Sequence, residues 1–163
     1  MSNLNSIKKK IYHLEELKVQ ISSWRDSGDK IVFTNGCFDL LHRGHVEMLA
    51  HTADLAERLI IGLNSDVSIK ALKGERRPIE NEESRAILLA SLSFVDAVIL
   101  FSEKTPLNLI HSLTPDILAK GGDYEIETIV GHKIIQNNGG EVIVVPFIDG
   151  CSSTNIINKI KKY

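Results

Sequence analysis

Two histidines three residues apart, His42 and His45, bracket Gly44 in the stretch TNGCFDLLHRGH, which runs from Thr34 to His45. Their type and spacing permit three chemistries. The pair could ligate a metal, cap and pack the start of a helix, or bind phosphate. The spacing disfavours metal: two zinc-binding histidines on one helix usually stand four apart and need a further ligand, and here only Glu47 follows. The position favours phosphate. The stretch joins an apolar run to a helical pattern beginning at Gly44, and a helix N-terminus presents unpaired N–H groups and a partial positive charge. Imidazoles beside it can donate hydrogen bonds to phosphate oxygens and take up charge when an anion arrives. Gly36 permits a tight turn or a close backbone approach to a ligand. The pair alone does not decide between phosphate ligands and helix caps.

Further clusters carry cations or hydroxyls. SDVSIKALKGERRP supplies Lys70, Lys73, Arg76 and Arg77. This is either a solvated basic loop or a mobile loop that closes on a polyphosphate, excluding water and bringing cations to developing charge. Arg85 sits one turn inside the next helical pattern, where its guanidinium could face the same site. In KGGDY (Lys120 to Tyr124) the glycine pair can let a flat base lie on the backbone, and Asp123 can bind a ribose hydroxyl; the same residues also make a plain turn. Ser152, Ser153 and Thr154 offer hydroxyls and N–H groups to phosphate, or simply cap the last helix.

Each cluster follows an apolar run, and those runs are the elements that must position the chemistry. KIVFTNG, RLIIGLN (Arg58 to Asn64), DAVILF (Asp96 to Phe101), DILAKGG and EVIVVPF read as five buried strands. Between them lie helical patterns. Asn81 caps NEESRAILLASL, Thr105 caps TPLNLIHSL with Pro106 at the first helical position, EIETIVGHKIIQNNGG is a helix ended by Gly139 and Gly140, and STNIINKIKKY closes the chain. Before the first strand, Ile7, Ile11, Leu14, Leu17, Ile21 and Trp24 recur at helical steps and predict one helix from about Leu4 to Asp26. Strands alternating with helices specify a parallel sheet covered on both faces. The expected fold is α/β: an N-terminal helical segment over residues 1–28, then a single Rossmann-like domain over 29–163 with a five-stranded parallel sheet and helices on both faces. Ligands bind such sheets beyond the carboxyl ends of the strands, where strand order reverses, so the clusters should converge there.

The remaining composition excludes more than it selects. Of 163 residues, 25% are charged with a net charge of −2, and the signs are interspersed. That leaves no footprint for duplex nucleic acid and no polybasic membrane patch. No apolar run approaches membrane-spanning length. Cys37 and Cys151 form no CxxC and are expected to be reduced packing residues of a cytoplasmic protein.

GCFDLLHRGH resembles the first signature of the HxGH nucleotidyltransferases, SSTN the Ser/Thr-rich turn of their second, and KGGDY the base- and ribose-receiving segment of the cytidylyltransferase-like branch. VFTNGCFDLLHRGHVEML, LNSD with LKGERRPI, PDILAKGGDY and VVPFIDGCSST, taken in order, resemble the heptose 1-phosphate adenylyltransferases from about Leu14 to about Ile160. Arg43 stands where that family commonly has Pro, and CSST replaces CSTT. FIDGCS lacks the arginine of the RTEGIS stretch of cytidylyltransferase relatives, which points from CTP towards ATP.

The resemblance implies that an oxygen of D-glycero-β-D-manno-heptose 1-phosphate attacks the α-phosphorus of ATP, giving ADP-heptose and pyrophosphate for the lipopolysaccharide core. His42, His45 and Lys73 would be catalytic. Backbone and side chains of Thr34, Asn35, Gly36, Cys37, Phe38, Gly44, Asn64, Arg85, Lys120, Gly121, Asp123, Ser152, Ser153 and Thr154 would hold the nucleotide. Lys70, Arg76 and Arg77 would meet substrate phosphate. Mg²⁺ would travel with ATP rather than sit in a protein carboxylate cluster; Asp39, the acid nearest the motif, would brace the turn. The implied partners are small molecules, a second copy in a homodimer, and a separate sugar kinase. A cytidylyltransferase acting on glycerol 3-phosphate or a similar phospho-alcohol, and a nucleotide-binding sensor without turnover, are the competing readings.

Overall fold

Runs rich in Ile, Val and Leu become strands here because helices cover both of their faces. The computed structural model of the chain describes residues 2–146 and 152–162. In order they form α1 (Asn3–Lys8), β1 (Ile11–Tyr12), α2 (Leu14–Asp26), β2 (Ile31–Gly36), α3 (Arg43–Ala53), β3 (Arg58–Asn64), α4 (Asp66–Lys73), α5 (Glu82–Ala90), β4 (Ala97–Phe101), α6 (Leu107–Leu113), β5 (Ile117–Gly121), α7 (His132–Asn137), β6 (Glu141–Val145) and α8 (Ser153–Ile160). A 3-10 turn, Ile126–Thr128, precedes α7. Among the described residues the sheet is parallel with order β1-β4-β3-β2-β5-β6. Alternating side chains feed two cores. Ile31, Phe33 and Ile60 pack with Leu17, Ile21 and Trp24 of α2 and Ile110 of α6, while Val32, Leu59 and Ile61 pack with Met48 and Leu49 of α3 and Leu89 of α5.

The sheet has six strands, not the five expected. The extra one is β1, whose Ile11 and Tyr12 pair with Val98 and Ile99 at the edge of β4. The helical period over Leu4–Asp26 hid it. Ile7 and Ile11 pack on the α3–α5 side and Leu17, Ile21 and Trp24 on the other, so one straight helix would bury only one set. The chain breaks instead, and His13 opens α2, with Glu16 accepting its backbone N–H at 3.3 Å. Within the expected N-terminal segment, β1 thus joins the sheet and α2 the core of the rest. The helix expected over EIETIVGHKIIQNNGG is also split. Gly131, at φ +93, lies between the 3-10 turn and α7. The helix after β4 is capped by Pro106, not Thr105. The expected extension of the last strand to Phe147, the FIDG stretch and Cys151 lie outside the described residues.

The strand order places the reversal between β2 and β5, because the chain leaves β2 towards β3 and β4 and returns on its other side. Pairing differs on the two sides. β2 pairs with β3 from Ile31 to Gly36, but with β5 only at Val32 and Phe33. Beyond those two residues the strands part, opening a crevice at their carboxyl ends.

Gly131 offers a direct test of the split helix. A Cβ there would fall 2.8 Å from Ile110 Cδ1 and would sit at a positive φ. Gly131→Ala should lower stability by about 1–3 kcal/mol, with an unchanged denaturant slope in urea unfolding.

Candidate active site

The crevice widens into a cavity of about 430 Å³ lined by the ends of β2, β3 and β5, by α4 and by the first turn of α8. Asn35, Gly36, Cys37, Phe38, His45, Asn64, Lys73, Lys120, Gly121 and Ser153 line it. A larger cleft of about 520 Å³ between β1, β4 and α6 is mostly walled by apolar side chains and holds none of the sequence-predicted residues. The chemistry therefore belongs to the cavity at the strand reversal.

The loop after β2 is tightly built. Gly36 is required because a Cβ would lie 2.9 Å from the ring of Phe38. Phe38 takes a left-handed conformation, φ 44, and its ring packs edge-on to His45 with centroids 5.2 Å apart. Strain at a non-glycine residue survives only where the surroundings over-determine it, as here. Asp39, 3% exposed, pairs with Arg77 and accepts the N–H groups of Ile79 (2.7 Å) and Glu80 (3.2 Å). That carboxylate braces the turn and ties it to the segment after α4. Ser153 donates to the carbonyl of Leu40 at 3.3 Å, bringing the start of α8 against the same loop.

His42 is the N-cap of α3. Its Nδ1 accepts the backbone N–H of His45 at 3.4 Å, which puts the imidazole proton on Nε2 and leaves that atom a donor. The two imidazoles stack with centroids 3.8 Å apart and planes 19° from parallel. Cap and phosphate-ligand geometries are thus compatible in one residue. Burial pushes the pKa of His42 down. His45 is pushed down to about 4, first by burial, then by His42, and less by Lys73. The Leu40 carbonyl pulls the other way, and among the described residues the buried Nδ1 of His45 has no close hydrogen-bond partner. Both rings are neutral at pH 7, and an arriving anion would favour their charged forms.

Lys120 reaches across the parted strands. Its Nζ lies 3.3 Å from Asn35 Oδ1 and 3.4 Å from the Asn35 carbonyl, and 5.9 Å from the centre of the Tyr124 ring. Burial lowers its pKa.

Arg85 is placed differently from the expectation. It does not line the cavity; it is 1% exposed and lies beneath the floor. Its guanidinium donates to the carbonyls of Cys37 (2.7 Å), Asn64 (2.8 Å) and Glu80 (3.0 Å) and to Asp66 Oδ1 (2.7 Å). A planar fork with five donors can hold four acceptors at once, which a lysine cannot. Lys70 and Lys73 sit in the last turn of α4, not on a loop. Lys73 lines the cavity, whereas Lys70 and Arg76 are exposed away from it and Arg77 is held by Asp39. Thr34 is buried and its Oγ1 has no partner among the described residues, Gly44 is buried in the first turn of α3, and Ser152 caps α8. Asp123 and Thr154 are exposed and outside the cavity wall. Sequence reasoning missed Lys104 and Pro106, and gave Thr105 only a capping role, although all three line the cavity. They follow β4, so the rule that looks just past each strand end would have found them. Among the described residues no group of three or more metal-ligating side chains converges.

A strand-loop-helix junction lined by histidine, lysine and serine at the reversal of a parallel sheet defines the class as a Rossmann-like α/β fold. The cytidylyltransferase-like family model matches residues 33–159, and the chain belongs to that family. It is 49% identical over 153 residues to the bifunctional protein HldE of Geobacter sulfurreducens, covering 94% of this chain and 31% of that protein. To the HldE of Klebsiella pneumoniae it is 53% identical over 148 residues, covering 91% and 31%. The chain therefore spans about a third of the length of these curated relatives. Among solved structures it is similar to the lipopolysaccharide core biosynthesis protein of Thermoplasma volcanium, with 28% identity, a TM-score of 0.60, and coverage of 74% of this chain and 98% of that one. No helix among the described residues is long and apolar enough to cross a membrane.

Two measurements check this geometry. Arg85→Met strands three carbonyls and a carboxylate and should cost about 3–5 kcal/mol in thermal or urea unfolding, with Arg85→Lys recovering only part. His45 should titrate near pH 4 by NMR in the free protein and at higher pH once a triphosphate is bound. Because its folded pKa lies below the unfolded value of about 6.5, its contribution to stability is full above that value and is lost as pH falls towards 4.

Proposed function

We propose that this chain is an adenylyltransferase that joins ATP to D-glycero-β-D-manno-heptose 1-phosphate, releasing pyrophosphate and forming ADP-heptose for lipopolysaccharide core synthesis. The observation that carries the reading is the His42–His45 stack at the N-terminus of α3, whose His45 lines one cavity with Lys73, Lys120 and Ser153 while His42 stands behind it. Neutral imidazoles beside a helix N-terminus and flanking cations form a cradle for a polyphosphate. The ordered motifs resembling heptose 1-phosphate adenylyltransferases, and the similarity to the lipopolysaccharide core biosynthesis protein of Thermoplasma volcanium, support the sugar.

An oxygen of the sugar phosphate attacks the α-phosphorus in line, and the bond to the β-phosphate breaks. No covalent enzyme intermediate is required, so the protein contributes position and charge. The His42 Nε2–H donates to a phosphate oxygen, His45 takes up positive charge as the anion arrives, and Lys73 meets the leaving pyrophosphate. Arg85 acts through the backbone: it fixes the carbonyls of Cys37 and Asn64 and so the shape of the cavity floor. Mg²⁺ accompanies ATP and supplies charge neutralisation on its phosphates; Asp39, with both oxygens occupied by Arg77, Ile79 and Glu80, is not free to hold it. A homodimer in the cytoplasm, with a sugar kinase supplying the 1-phosphate, completes the reading.

Incubation with ATP or CTP and a panel of sugar 1-phosphates and phospho-alcohols, followed by mass analysis, should give ADP-heptose and pyrophosphate. Product only with CTP assigns the cytidylyl reaction, and tight ATP binding without product assigns a sensor. His45→Ala should lower turnover by about 10²–10³ with circular dichroism unchanged.

A further inference from the structure

We propose that Lys120 is a catalytic cation whose ammonium faces the phosphoryl group in transit, so that the reacting anion is its charge partner. The inference rests on the nucleotidyl-transfer reading above.

The first observation is a missing counter-charge. Among the described residues no carboxylate lies within ion-pair distance of Lys120. Its hydrogen-bond partners are the two neutral oxygens of Asn35, and the Tyr124 ring lies 5.9 Å away. A half-buried ammonium without an anion is costly. Arg85, beneath the same floor, is treated in the opposite way, with a carboxylate and three carbonyls. Among the described residues one cation has a carboxylate and the other only neutral hydrogen-bond partners, and the second faces the cavity.

The second observation is position. Lys120 sits on β5 where β5 and β2 stop pairing, at the strand reversal itself. Lys73 follows β3, on the other side of β2. Lys73 stands in the last turn of α4, so the two cations approach the histidine loop from opposite sides of β2. One can hold the departing pyrophosphate while the other stays with the transferred phosphoryl group. In the step itself a bond forms from the acceptor oxygen to the α-phosphorus, and pyrophosphate leaves with the electron pair of the broken bond. Lys120 neither gives nor takes a proton and must remain charged.

That requirement has a pH signature. The groups facing Lys120 are the Cys37 thiol at the end of β2 and the Tyr124 phenol, with His45, Lys73 and Lys104 on other walls of the cavity. Burial lowers the Lys120 pKa from the ordinary lysine value, and Cys37 offsets part of that. Turnover should therefore fall on the alkaline side as the ammonium deprotonates, and an arginine, which stays charged, should move that limb upward.

The test compares Lys120→Met and Lys120→Arg with wild type in pyrophosphate release from ATP and the sugar 1-phosphate. Expected is a kcat loss of about 10²–10³ in Lys120→Met, with the affinity for a non-hydrolysable ATP analogue changed by less than about threefold in calorimetry. Lys120→Arg should keep part of kcat and shift the alkaline limb upward. An intact kcat in Lys120→Met, a loss confined to ATP affinity, or an unmoved limb in Lys120→Arg overturns the proposal. If Lys120→Met does not fold, the pH limb of Lys120→Arg decides. Wild-type turnover separates the two levels: none with any acceptor sinks the transfer reading, whereas turnover that survives in Lys120→Met sinks only the role of Lys120.

Discussion

The site depends on one buried guanidinium. Arg85 joins the end of β2 through Cys37, the end of β3 through Asn64, the start of α4 through Asp66 and the segment before α5 through Glu80. These four pieces meet at the carboxyl edge of the sheet, where the ladder no longer satisfies their backbone groups. Carbonyls left unpaired there would each cost free energy, and water reaching them would loosen the loop that carries His42 and His45. A carboxylate partner on Asp66 compensates the buried charge, so the clamp is a network and not an isolated ion.

A second layer rests on that clamp. Asp39 holds the histidine loop to the segment after α4, and Ser153 holds it to α8, so three chain regions far apart in sequence close around the helix N-terminus. The histidine pair can then remain stacked, partly buried and neutral. In the proposed transfer such a pair would carry little mutual repulsion before a polyphosphate arrived and gain charge with it, concentrating the favourable interaction on the bound and reacting states. The parted β2 and β5 strands provide the space, and Lys120 bridges the carbonyl of Asn35 that the ladder abandons.

Much of this was legible before any coordinate. The five long apolar runs became β2 to β6, because continuous Ile, Val and Leu need cover on both faces. The histidine loop, KGGDY and the Ser-rich turn fell together because ligand sites of parallel sheets lie past strand ends. Reading failed where local pattern and tertiary demand diverged. Two residues of β1 took a helical period because Ile7 and Ile11 serve one core and Leu17 and Ile21 the other. Gly131 broke a helix whose apolar period gave no sign of the break. Arg85 read as a ligand-facing cation, since nothing in its neighbours reveals that Cys37, Asn64 and Asp66, from segments 19 to 48 residues away, bring acceptors to it.

The sequence by itself determined the alternation of elements, the parallel sheet, and the set of residue types from which a phosphate cradle is made, because hydrophobic period and capping chemistry are local properties. Only the tertiary structure decided which cations face the cavity and which hold it up. Lys73 and Lys120 line the cavity, Arg85 and Arg77 are spent on carbonyls and carboxylates, and Lys70 and Arg76 are exposed outside it. A side chain's charge is written in the sequence, but its partner is set by contacts between residues tens of positions apart, and those exist only once the sheet has formed.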